Sequence, residues 1–227
     1  MGSSGGTGAS FGGRPWVQKE VPTLVKDRDL VETRRLQIIQ AAVGLFIEKG
    51  FHQTTIRQIA AQAGLSIGSL YEYVRSKEDI LYLVCDHIHA EMERRLRASI
   101  SQAADGREAL VQAVKAYFAV CDALADDILL IYQETKSLAP EARSYVLDND
   151  ARLTGLFEEI LNRGAADHSL SVDGPALGLT AHNITVLGHM WTFRRWYLAK
   201  NYSLEEYTRL QTQLLLSELG QDGKAKK

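Results

Sequence analysis

Thr55 and Arg57 stand at the first turn of a short helical pattern and Lys77 at the first turn of a long one, where a hydroxyl, a guanidinium and an ammonium join free backbone N–H groups. That set is suited to holding phosphate in place rather than to transforming it. Between them, Ile67, Gly68, Ser69, Tyr71, Glu72 and Tyr73 fall outward once Leu70 and Val74 are turned to a core. A face carrying two tyrosines and small residues at its start is unusual for solvation alone and fits a surface that touches something. Other chemistries find less support. Cys85 and Cys121 each lie alone in an apolar helical pattern, as buried free thiols do. His87 and His89 point to different sides of a helix, so no metal site is expected. There is no phosphate-cradling glycine loop and no nucleophile elbow, so no catalytic residue and no enzyme activity is expected.

The elements that position these residues are sharply punctuated. Thr55 with Gln58 has capping-box spacing, Gly64 ends that helix after barely two turns, and Ser66 caps the next. Ser76 with Asp79 forms another acceptor pair. Ile56, Ile59, Ala60 and Ala63 give the second helix a buried stripe, and Leu65, Leu70 and Val74 give the third one. Packed against Leu36, Ile39 and Phe46 of a first helix over 32–49, they make a three-helix unit. A helix, a glycine-containing turn and a second helix across the first is the helix-turn-helix arrangement, whose second helix enters the DNA major groove.

The rest of the chain reads at helical period, with no sustained alternation that would argue for a sheet. Helices are expected over about 76–103, 107–125, a shorter one ending before Pro140, 141–163, 176–200 and 203–219. The fold class is therefore all-α, with a disordered lead over 1–30, a small domain over 31–75, a larger domain over 76–220 and a flexible tail over 221–227. The 227-residue chain has net charge −2, but Arg34, Arg35, Lys49, Arg57, Arg75 and Lys77 against Glu48 and Glu72 make 33–77 locally basic. No apolar run approaches the length of a membrane span and the Gly/Ser-rich start lacks a signal's apolar region, so a cytoplasmic location and no membrane partner are expected.

The run TTIRQIAAQAGLSIGSLYEYVRSKEDIL, preceded by a helix ending LFIEKGF, resembles the DNA-binding domain of the TetR family of bacterial transcriptional regulators. The resemblance implies a homodimer of about nine helices per chain, with a reading head and a C-terminal domain for ligand and dimerisation. It implies double-stranded DNA with a palindromic operator as partner, Ile67, Gly68, Ser69 and Tyr71 at base edges, and Thr55, Arg57, Tyr73 and Lys77 at phosphates. Ile67 and Glu72 depart from the family's usual residues.

For the larger domain, Tyr117, Phe118, Cys121, Leu129, Tyr132, Leu153 and Phe157 are spaced like core positions, some of which would line any pocket. The helices over 176–200 and 203–219 are expected to pair with their copies in a four-helix bundle. LLIYQETKSLAPEARSYVLDND and GHMWTFRRWYLAKNYSLEEY are similar to the corresponding parts of FadR-type, acyl-CoA responsive TetR regulators. That likeness implies a small hydrophobic effector, acyl-CoA favoured, in a long apolar tunnel. Its pocket would draw on Tyr117, Cys121, Tyr132, Phe157, His189, Phe193, Arg194 and Arg195, with either arginine at the coenzyme's phosphates. No resident cofactor is implied. The expected activity is a repressor released from its operator by the effector; the alternative is a DNA-bound scaffold that recruits a protein.

Overall fold

In a computed structural model, residues 21–99, 103–172 and 174–220 are described. The expected tail over 221–227 and the first twenty residues of the expected lead lie outside them.

Among the described residues there are ten α-helices and no strand. The head consists of α1 (Arg28–Lys49), α2 (Ile56–Gln62) and α3 (Ile67–Tyr71). The body consists of α4 (Lys77–Ser99), α5 (Gly106–Ala123), α6 (Ala125–Glu134), α7 (Pro140–Ala166), α8 (Gly174–Phe193), α9 (Arg195–Asn201) and α10 (Leu204–Leu219), with a 3-10 turn at Thr135–Ser137. Asp27 caps α1, accepting from the Leu30 N–H at 3.1 Å. Gly50 closes α1 at φ +80°, a conformation that L side chains avoid.

The first thirty residues are not wholly a loose lead. Val21 is buried, and the chain over 21–27 runs along the head before α1 begins at Arg28. The Leu24 N–H and Thr23 hydroxyl both donate to the Glu72 carbonyl, at 2.9 and 2.8 Å. The short α3 leaves its last carbonyls without helical partners, and this segment supplies them.

The expected helix over 176–200 is two helices, which raises the count from nine to ten. At Arg194 the backbone leaves helical geometry (φ −109°, ψ 19°), as it does at Leu124 between α5 and α6 (φ −111°, ψ 29°). The two breaks are tied together. Trp191 Nε1 donates to Asp122 Oδ1 at 2.9 Å, the Thr192 hydroxyl donates to the Cys121 carbonyl at 3.1 Å, and Arg195 pairs with Asp122 at 3.2 Å. These side chains hold α8 against the end of α5, and α9 beyond the break has no buried residue.

The body's core is centred on α5, where Tyr117, Phe118 and Cys121 are fully buried against α7, α8 and α10. Glycine sets the closest helix approaches. A Cβ on Gly106 would lie 2.2 Å from Gly164 Cα, and one on Gly188 would lie 2.3 Å from Tyr117 Cε1. Asp167 Oδ2 accepts from the Gly106 N–H at 2.7 Å and so fixes the start of α5 on the end of α7.

Candidate functional site

The head presents the expected face. Ile67 and Tyr71 are 44% and 46% exposed, Gly68 is exposed and Ser69 is half-buried. Ser66 Oγ accepts from the Ser69 N–H at 3.0 Å, which starts α3 squarely. A Cβ on Gly68 would meet only Ser66 Oγ, at 3.8 Å, so packing does not require glycine there. Thr55 and Gln58 form the complete capping box, with Thr55 and Arg57 both exposed at the first turn of α2.

Two expected phosphate ligands stand differently. Tyr73 is 5% exposed, because the chain leaves α3 at Tyr71 and turns the ring inward. Lys77 Nζ donates to the carbonyls of Phe51 (2.8 Å), His52 (3.3 Å) and Thr54 (2.9 Å), and lies 4.4 Å from the centre of the Phe51 ring. Three acceptors occupy all three ammonium protons, so this lysine clasps the α1–α2 turn onto α4. Arg35 is the residue missed by sequence reasoning. Its guanidinium donates to the Tyr73 carbonyl at 3.1 and 3.2 Å and to the Val21 carbonyl, joining α1, the segment before it and the exit of α3. In sequence it looks like one more surface charge.

The body holds a half-open cavity of about 320 Å³ walled by α4, α6, α7 and α8. Apolar walls come from Met92, Ile128, Ile131, Val146, Leu147 and Phe193. On α7, Arg143, Val146, Leu147 and Asp150 fall at i, i+3, i+4 and i+7, one stripe with a cation at one end and a carboxylate at the other. Exposed Lys136, in the turn just before α7, shares the Arg143 end. At the far end His89, 5% exposed, has Nδ1 at 2.8 Å from the Cys85 carbonyl. His189 Nε2 lies 4.0 Å from Asp150 Oδ1. Burial pushes the pKa of both histidines down against the pull of Asp150, so both are neutral at pH 7. Nδ1 of neutral His89 then donates to Cys85 and leaves Nε2 as an acceptor.

Of the expected pocket residues, Tyr132, His189 and Phe193 line this cavity. Tyr117, Cys121 and Phe157 are fully buried behind it, with Tyr117 touching His189 ring to ring at 6.3 Å. Burial holds the Cys121 thiol up at about 12, so it is an inert core group. The arginines do not reach the cavity: Arg194 stacks on Trp196 at 4.9 Å and Arg195 is taken by Asp122. Lys136, Arg143, Asp150 and His89 were missed, although the i, i+3, i+4, i+7 stripe on α7 was there to be read.

Cavity and head meet at one turn. Thr135 and Lys136 line the cavity, while Ser137 Oγ lies 3.4 Å from His52 Nε2 and Glu134 Oε2 lies 3.9 Å from it. Elsewhere on the body, α8 exposes Leu179, Val186 and Met190, and α10 exposes Leu210 and Leu214. No group of His, Cys, Asp or Glu among the described residues could hold a metal ion, and none of the described helices is long and apolar enough to cross a membrane.

Comparison with known proteins gives two family matches. Residues 38–82 match bacterial regulatory proteins of the tetR family, and residues 103–219 match the tetracyclin repressor-like C-terminal domain. The HTH-type transcriptional regulator HbdR of Aromatoleum sp. (strain CIB) is 35% identical over 189 residues, 83% of this chain and 82% of that protein. Among solved structures, the fatty acid degradation regulator FadR of Bacillus halodurans superposes with TM-score 0.67 at 23% identity, covering 86% of this chain and 97% of that one. AibR, in complex with isovaleryl coenzyme A and operator DNA, superposes with TM-score 0.66 at 16% identity, covering 81% and 98%.

Proposed function

Because the chain belongs to the TetR family of bacterial regulatory proteins, we propose that it is a repressor whose hold on operator DNA is relieved by an acyl-CoA. It is a transcriptional regulator and not an enzyme. The observation that carries the ligand reading is the cavity itself: apolar through its middle, with the cations Lys136 and Arg143 at one end, where they favour a ligand whose emerging part is anionic. AibR, which shares the fold, binds isovaleryl coenzyme A. The volume suits a short or medium acyl group better than the long tunnel that FadR-like sequence suggested.

In this reading Ile67, Gly68, Ser69 and Tyr71 meet base edges, while Thr55, Arg57 and the exposed N-terminus of α2 hold phosphate. The exposed apolar faces of α8 and α10 pair with their copies, so that two heads reach successive major grooves. A ligand seated against Thr135 and Lys136 displaces the turn that Ser137 and Glu134 hold on His52. It favours the conformer whose heads are wrongly spaced, a shift of population that empties the operator. Fluorescence anisotropy of the operator bound by the full chain tests this. Added short- or medium-chain acyl-CoA is expected to release the DNA, with Lys136→Ala and Arg143→Ala together raising the concentration needed. Complexes that survive saturating acyl-CoA of every such length overturn it.

A further inference from the structure

The cavity is not apolar to its end. At the end opposite Lys136 and Arg143 the wall is His189, Asp150 and His89, polar groups that a plain alkyl terminus cannot satisfy. His189 Nε2 and Asp150 Oδ1 face each other at 4.0 Å, too far for a direct hydrogen bond. With the imidazole neutral, the pair is not an ion pair either. An oxygen placed between them, however, can stand within hydrogen-bond distance of both. Asp150 offers only acceptors, so that oxygen must carry a proton to donate, and neutral His189 can donate to it in turn. Asp150 lies seven positions after Arg143, so the two charged ends of the stripe lie about 10 Å apart along α7, the reach of a medium acyl chain with its thioester at the Arg143 end.

We propose that the effector is polar at both ends: an acyl-CoA whose distal end carries a hydroxyl that bridges Asp150 and His189. This rests on the acyl-CoA reading above and narrows it to a class of acyl group. A ligand ending in methyl would displace solvent from Asp150 and His189 without replacing its hydrogen bonds, and would lose affinity for that reason. A site built to bind a hydroxyl rejects the analogue lacking it more strongly than an apolar pocket rejects an added methylene.

The test is a titration of the full chain with matched pairs: hexanoyl-CoA beside ω-hydroxyhexanoyl-CoA, and octanoyl-CoA beside ω-hydroxyoctanoyl-CoA. Affinity and operator release are read together. The hydroxylated member of at least one pair is expected to bind roughly ten- to a hundredfold tighter. In Asp150→Asn the preference should shrink, and in His189→Phe it should reverse in favour of the plain chain; circular dichroism shows that each variant is folded. If plain and hydroxylated thioesters release the operator equally, the distal hydroxyl is wrong and the acyl-CoA reading stands. If no thioester of either kind binds, both fall.

Discussion

In the head, short helices are held by hydrogen bonds to particular backbone carbonyls: Lys77 on Phe51, His52 and Thr54, Arg35 on Tyr73, Thr23 and Leu24 on Glu72. In the body, long helices are held by close packing around Tyr117, Phe118 and Phe157, with glycines where backbones touch and a cavity left among them. Directional bonds fix an orientation, which a reading surface needs. Packing around a cavity leaves room for a second arrangement, which the proposed response to a ligand needs.

The largest effect that would sharpen the contrast is Gly106→Ala. Its methyl would be driven into the Gly164 backbone, and helices that cannot separate freely should lose about 3 kcal/mol, a fall in melting midpoint of roughly 6–12 °C. The folded fraction should still bind operator as before; weakened DNA binding by the folded variant would mean that body packing sets the head directly. Lys77→Met comes next, with about 2 kcal/mol lost from hydrogen bonds to a charged donor. Operator affinity should fall through disorder of the α1–α2 turn while the salt slope stays that of the wild type; a slope reduced by about one would show that the ammonium reaches phosphate after all.

The smallest effect is on pH. Burial lowers the pKa of His89 and His189 in the folded chain below the unfolded value, so in a window that opens at about pH 6.5 and extends down to the folded values the unfolded chain binds more protons. Stability contributed by keeping them neutral is present above that window and lost as the pH falls through it. The midpoint should drop a few degrees on acidification, less so in His189→Gln. A midpoint that rises instead would mean that Asp150 outweighs burial and the imidazoles are charged.

The same contrast explains what could be read from sequence. Capping signals are local, so Thr55 with Gln58, Gly64 and Ser66 placed α2 and α3 to within a few residues, and the exposed face of Ile67, Gly68 and Tyr71 followed. The inward turn of Tyr73 was not legible because its direction depends on where α3 stops, nor the clasp of Lys77, because its acceptors lie more than twenty residues upstream. In the body, burial of Tyr117, Cys121 and Phe157 was legible from spacing, but core and cavity wall share one pattern. Only contacts between distant helices separate them, as with Arg195, drawn away by Asp122 on α5.

The stitching of Val21, Thr23 and Leu24 to the exit of α3 bears on protein engineering. Exchanging reading heads between relatives is an attractive way to rewire a sensor to a new promoter, and the obvious graft boundary is the start of α1 at Arg28. A graft cut there would carry the recognition surface and leave behind the donors that finish its last turn. A transplant that begins at Val21, and that matches His52 to the recipient's counterpart of Ser137, keeps both the donors at the exit of α3 and the contact between head and body.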